Sequence, residues 1–315
     1  MNAQEYRRIR VERLAGALGA EVSGVDLANL DDETFAEVKR AFTEHQVLCF
    51  HEQELTPADH CAFIKRLGPL TRHPMVKTLD DFPFVAPVIR AADAQGINFG
   101  GVWHVDASFI ESPPFCTALY AIEVPAFGGD TLFSNLYLAY ESLSPGMREF
   151  CDRSILIHSA SVAYDADGPK KSMLDQKGMQ FTMREDPTLE MEHPLVCTHP
   201  NSGRKLLWLP GGYAIRIKDM SEEESKPILD YLHSIPIRPE FTCRVRYRAG
   251  SLCMWDNRST QHLALNDYAG IRRVMHRVQV GGPPPVGPAM PVRNQSKVEA
   301  VRQFIISKGG LTKNL

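Results

Sequence analysis

Two short stretches, far apart in this chain, carry residue types that bind a catalytic metal. Trp103-His104-Val105-Asp106 offers an imidazole and a carboxylate two positions apart, and Gln261-His262 offers a second imidazole much later. On an extended segment such alternate residues point to the same side, so His104 and Asp106 can share one ion while Val105 faces away. His262 joins them only if the tertiary fold brings it back. Two imidazoles and one carboxylate on a triangular face form the ligand set of non-haem Fe(II), which leaves positions open for an organic co-substrate and O₂. A zinc-dependent hydrolase or isomerase on a similar β-barrel, using the metal to activate water, is the competing chemistry. His-x-Asp alone is common on surfaces and in satisfied cores. Its meaning comes from what surrounds it.

Composition narrows the context. At 315 residues the chain exceeds the usual domain size, but sandwiches and barrels of this length form single domains. One domain over 1–315 is expected, with its core at about 14–280 and a C-terminal extension over 281–315. A net charge of −3 gives no electrostatic case for nucleic acid or an anionic membrane as partner. The seven cysteines are scattered, odd in number and free of C-x-x-C, which fits reduced thiols and a cytoplasmic location. No uninterrupted apolar segment of a signal peptide stands in 1–20, and nothing approaches the ~18 consecutive apolar residues of a membrane span.

The elements that must position the site are many short strands with helices between them. Arg10 to Val25 reads as strands broken by glycines. Asp31-Asp32-Glu33-Thr34 starts an amphipathic helix, and QVLCF (46–50) is a strand. Thr56 caps a helix with Pro57 in its first turn. The stretch 80–101 reads as a loop feeding the site. Phe115–Val124 is a strand, and Gly128-Gly129 turns it into another. Tyr137–Cys151 is helical with an interruption at Leu143-Ser144-Pro145. The segment 163–192 is polar and aperiodic, as expected of a lid or mobile insertion. A strand pair (195–198, 205–209) follows, then a helix over 222–234 with a capping box at Ser221 and Glu224. Strands over 241–247, 251–255 and 273–280 close the pattern. Such a sequence predicts a mainly β fold with inserted helices, a sandwich or partly closed barrel.

Taken together, WHVDASF (103–109), GGDT (128–131), WDNRSTQH (255–262) and IRRVMHR (271–277) resemble the TauD/TfdA family, in register from about Leu14 to Val280. The resemblance implies a double-stranded β-helix, or jelly roll, and an Fe(II)- and 2-oxoglutarate-dependent dioxygenase. That reaction consumes O₂, releases succinate and CO₂, and hydroxylates a C–H bond. It also implies His104, Asp106 and His262 as iron ligands, and Arg273 with Thr131 as the seat of the distal carboxylate of 2-oxoglutarate. Independently of any family, the planar guanidinium fork suits a buried carboxylate in a way that lysine does not. The family further implies dimers or tetramers.

By the same resemblance His73, Gly100, Tyr164, Tyr213 and Arg277 fall at substrate-contacting positions. His73 and Arg277 could bind a sulfonate, sulfate ester or carboxylate. Gly100 replaces a polar amide of the taurine enzymes and Val76 replaces a tyrosine, so taurine itself is disfavoured. A larger organic acid, alkyl sulfate ester or natural-product intermediate suits the roomier pocket. His158, His193 and His199 read as polar neighbours, and His276 as a residue behind the metal.

Overall fold

The computed structural model describes residues 6–164, 178–181 and 190–290. Its largest sheet runs in the order β1 (Arg10–Arg13), β2 (Ala20–Ser23), β3 (Val47–Phe50), β14 (Leu252–Asp256), β6 (Pro114–Glu123), β16 (Arg273–Gly281), β4 (Leu70–Thr71). β5 (Ala86–Arg90) also pairs with β16. A second sheet runs β13 (Thr242–Val245), β7 (Thr131–Asn135), β15 (Thr260–Ala264).

The apolar runs VLCF in β3 and LCMWD in β14 lack polar alternation because both faces of the large sheet are covered. Leu48, Phe50, Leu252, Met254, Val278 and Val280 pack under α1 (Asp32–His45) and α2 (Pro57–Lys65), against Val38, Phe42, Phe63 and Ile64. Their neighbours one position along, Val47, Cys49, Cys253, Trp255 and Met275, face Phe133, Cys243 and Val245 of the second sheet. Burying each such Leu, Val or Phe contributes roughly 1.5–3 kcal/mol. The result is two packed sheets with helices outside, as the strand-rich sequence predicts.

Local chemistry fixes the helix starts. Asp31 accepts from Thr34 N–H, and Thr56 and Asp59 form a reciprocal capping box before α2. Ser144 caps α4 (Pro145–Arg153) after the break that ends α3 (Leu136–Glu141), and Ser221 with Glu224 boxes α6 (Glu222–His233). These helices enclose a further apolar cluster of Leu156, Leu195, Leu207, Leu229 and Leu232. It is built on β8 (Ile155–Ser159), which pairs with β9 (Glu190–Pro194) and β12 (Ala214–Ile217), and on the hairpin of β10 (Val196–Thr198) with β11 (Lys205–Leu207). α5 spans Ser161–Tyr164.

Several elements differ from expectation. β5 lies within the stretch read as loop; APVIR opens near a proline and has no alternation. β8, β12 and β15 were not expected, and each is only four or five residues long. Most of the 163–192 segment read as a lid lies outside the described residues, while Glu190–Glu192 belong to β9. The stretch after Gly282 stays on the body, where the Val286 carbonyl accepts from Thr198 N–H at 2.8 Å. No helix among the described residues is long and apolar enough to cross a membrane.

Candidate active site

His104 does not sit in a long strand. A single bridge holds it to His262: His104 N–H donates to the His262 carbonyl at 3.0 Å, and His262 N–H returns a bond to His104 at 2.9 Å. Asp106 opens the turn that follows. Val105 is fully buried on the other side, against Leu136, Tyr137 and Trp208. The expected facing of the pair therefore holds, although only this short piece is extended. One ligand atom each from His104, Asp106 and His262 lies within 4.8 Å of the others, and all three residues are buried.

Each side chain is oriented by a neighbour. His104 Nδ1 lies 2.8 Å from the Val102 carbonyl, so that nitrogen donates to the backbone and Nε2 is the one turned to Asp106. Nε2 of His104 and of His262 stand 3.6 and 3.9 Å from Asp106 Oδ1. The other carboxylate oxygen, Oδ2, accepts from the Thr117 hydroxyl at 2.7 Å and from the Gln279 amide at 3.4 Å. Asn257 clamps the Asp106 backbone: its Oδ1 accepts from Asp106 N–H at 2.9 Å, and its Nδ2 donates to the Asp106 carbonyl at 3.2 Å. His262 packs against Trp255 and Phe133, with ring centroids at 4.7 and 5.8 Å.

The electrostatics suit a cation. Burial alone would raise the Asp106 pKa, but His104, His262 and Arg277 outweigh it and hold the carboxyl well below its usual range. Burial, with His104 beside it, pushes His262 down to about 3, so this imidazole is a neutral lone-pair donor at physiological pH.

Two buried arginines flank the triad on one face of β16. Arg277 Nη1 is 3.6 Å from Asp106 Oδ1, while its Nε and Nη2 have no hydrogen-bond partner among the described residues. Arg273 is likewise buried, with Nε and Nη2 unpartnered. It stands over the Tyr247 ring at 5.3 Å and borders a small cavity with Asn98, Phe99, Ala264 and Tyr268. Thr131, at the start of β7, is buried beside Tyr247: burial raises that phenol well above its usual range, and Thr131 opposes the shift. A buried guanidinium without an acid is costly; a ligand carboxylate would satisfy Arg273, and a ligand anion could take the remaining nitrogens of Arg277 beside its contact with Asp106.

His73 belongs to the same group. Burial, then the Arg277 charge, drives its pKa well below normal, and its Nδ1 accepts from Met75 N–H. Gly100 abuts the first ligand: a Cβ there would lie 3.2 Å from His104 Cε1, and the backbone is left-handed at φ +79°. The glycine thus lets the backbone approach the first ligand closely, a constraint that stands beside the substrate-contacting position implied by resemblance. Tyr213 packs with Phe109, Ala107 and Met75 beside the Asp106 turn. The Tyr164 side chain lies outside the described residues. His276 alternates in face with Arg277, as its place in a strand predicts, but it lies towards His60 of α2, whose pKa it helps to lower after burial, and not behind the metal.

The sequence reading missed Asn257, Thr117 and Gln279. Asn257 sits inside the quoted WDNRSTQH segment, and the parity of β6 and β16 places Thr117 and Gln279 on the inner face.

Comparison with known proteins agrees with this geometry. The family model described as "Taurine catabolism dioxygenase TauD, TfdA family" matches residues 10–279. An alpha-ketoglutarate-dependent sulfate ester dioxygenase of Pseudomonas putida is 36% identical over 284 residues, covering 88% of this chain and 91% of its own length. An alkylsulfatase of Acinetobacter baylyi is 33% identical over 282 residues, covering 88% and 86%. The crystal structure of a taurine dioxygenase from Burkholderia xenovorans superimposes with a TM-score of 0.75 at 33% identity, covering 90% of this chain and 94% of that one. The chain belongs to the TauD/TfdA family. It is a 2-oxoglutarate-dependent dioxygenase acting on a small organic substrate.

Proposed function

We propose that this enzyme oxidises an anionic alkyl substrate, with an alkyl sulfate ester as the best fit, using Fe(II) held by His104, Asp106 and His262. The observation that carries the reading is the pair of buried guanidiniums on β16, each with nitrogens lacking a partner among the described residues. Arg273, with the Thr131 hydroxyl, takes the distal carboxylate of 2-oxoglutarate. Arg277, with His73, takes the anionic head of the substrate beside the metal. Val76, Phe99, Met179 and Phe181 form an adjoining apolar cluster that suits an alkyl chain, and Arg277 stands 5.4 Å from the Phe99 ring centroid. Taurine has no such chain. The sulfate-ester relatives support the same choice.

Bound iron with 2-oxoglutarate and O₂ supplies the oxidising power that hydroxylates a substrate C–H bond, with release of succinate and CO₂. The protein's share is to orient and to exclude water. Arg277 and His73 anchor the anion, so that the adjoining carbon faces the triad, and the apolar cluster keeps the chain dry. Hydroxylation of the carbon bearing a sulfate ester gives an adduct that collapses to an aldehyde and inorganic sulfate. We assign the two packed sheets to a double-stranded β-helix, Tyr213 to the substrate side, the protein to the cytoplasm, and its assembly to a dimer or tetramer.

Anaerobic protein given Fe(II) and 2-oxoglutarate is expected to develop a weak visible charge-transfer band. Air with a medium-chain alkyl sulfate should then release sulfate and succinate in equal amounts. Retention of zinc without the band would overturn the iron reading. Succinate released only with sulfonates, aryloxy acids or terpenoid acids would overturn the sulfate-ester assignment.

A further inference from the structure

Asp106 is held differently at its two oxygens. Oδ1 alone faces His104, His262 and Arg277, whereas Oδ2 is turned to the large sheet and accepts from the Thr117 hydroxyl at 2.7 Å. Thr117 in turn accepts from Gln279 Nε2 at 3.0 Å. Thr117 and Gln279 are direct cross-strand partners on β6 and β16, and both are buried. The chain of donors has one direction. A carboxylate can only accept, so the threonine hydrogen points to Asp106; its lone pair then requires the amide NH₂ of Gln279 rather than the amide oxygen. That same NH₂ also lies 3.4 Å from Oδ2. With the Asn257 clamp on the backbone, the carboxylate cannot rotate without leaving Thr117 unsatisfied in the interior.

We infer that Thr117 and Gln279 are positioning residues that commit Asp106 to binding metal through Oδ1 alone, and so keep a further coordination position open for co-substrate or O₂. Neither touches the reacting atoms. Without the Thr117 donor, Oδ2 is free to turn towards the metal and occupy that position. The inference rests on the metal-centre reading above, and the two fail separately.

The test is metal binding to apo-protein and the spectrum of the loaded protein, on Thr117→Val, Thr117→Ser and Gln279→Met. Wild-type protein must first bind Fe(II) or Co(II) in calorimetric titration; if it does not, the metal reading itself fails. Thr117→Val is then expected to change Fe(II) affinity about 10-fold or more and to weaken the charge-transfer band with 2-oxoglutarate. It should also alter the Co(II) ligand-field spectrum. Thr117→Ser, which keeps the hydroxyl, should restore all three to within about 3-fold of wild type. Gln279→Met preserves volume and removes the amide; it should shift the Co(II) spectrum in the same direction. It also serves as the test if Thr117→Val does not fold. Wild-type spectra and affinity in the folded variants would overturn the inference, as would a loss that Thr117→Ser fails to repair.

Discussion

Arg273 and Arg277 share a face of β16; under the proposed assignment they serve different ligands, and substitutions should separate them. Arg273→Lys keeps the charge and loses the fork, so the KM for 2-oxoglutarate should rise by about 10- to 100-fold, the equivalent of about 1.5–3 kcal/mol for a charge-assisted contact. The KM for the primary substrate should move little. Arg277→Leu should do the reverse, and steady-state kinetics varying each substrate in turn reads both. Asp106→Ala should abolish turnover in the succinate assay, and retained hydroxylation would mean a wrong ligand assignment. The candidate triad could be picked out only from four segments taken together, since His-x-Asp alone is common, and the fold brings its three residues within reach of one ion. The residues that brace them stayed hidden. Thr117 and Gln279 are ordinary strand residues until β6 and β16 are placed side by side, and no local pattern announces that pairing.

At the scale of elements, the site depends on backbone that a side chain would spoil. Gly100→Ala forces φ +79° on a residue that disfavours it and puts a methyl 3.2 Å from the His104 ring. Stability should fall by about 1 kcal/mol or more, read as a lower denaturation midpoint, and Fe(II) should bind more weakly. Ser221→Ala, far from the metal, should cost α6 about 1 kcal/mol of stability through the lost cap and leave kinetics unchanged. Helix starts were legible because a cap is a local hydrogen bond between near neighbours. The Thr56 and Ser221 caps form as their sequences predict, and Ser144, read only as part of an interruption, caps the helix that restarts there. Short strands were less so. β15 carries His262, yet Thr-Gln-His-Leu-Ala is only five residues and gains its order from Phe133 and Thr131 across the ladder. β5 is likewise defined by β16 and not by its own composition.

For the whole molecule, acid should be the weak point. Burial pushes His60 and His158 down to about 3, and neither can charge without leaving the interior. Their folded pKa lies below the unfolded value of about 6.5. The stability they contribute is therefore complete above that pH and is lost as pH falls from there towards 3. Chemical denaturation at stepped pH should show the decline, and His60→Phe should flatten part of it. The two-sheet plan could be read from strand content, whereas the pairing order, with β14 and β16 inserted beside β3 and β6, is a tertiary outcome without local signature. One feature of that order bears on ancestry. β16 alone bears Arg273, Arg277 and Gln279, all on its inner side. An insertion or deletion of a single residue between them would disable several functions together, so the strand must descend as one unit. The apolar positions Val76, Phe99 and Met179 lie elsewhere in the chain, so they can change without displacing the side chains of β16. New substrates should arise there, in lineages whose oxidative chemistry stays constant.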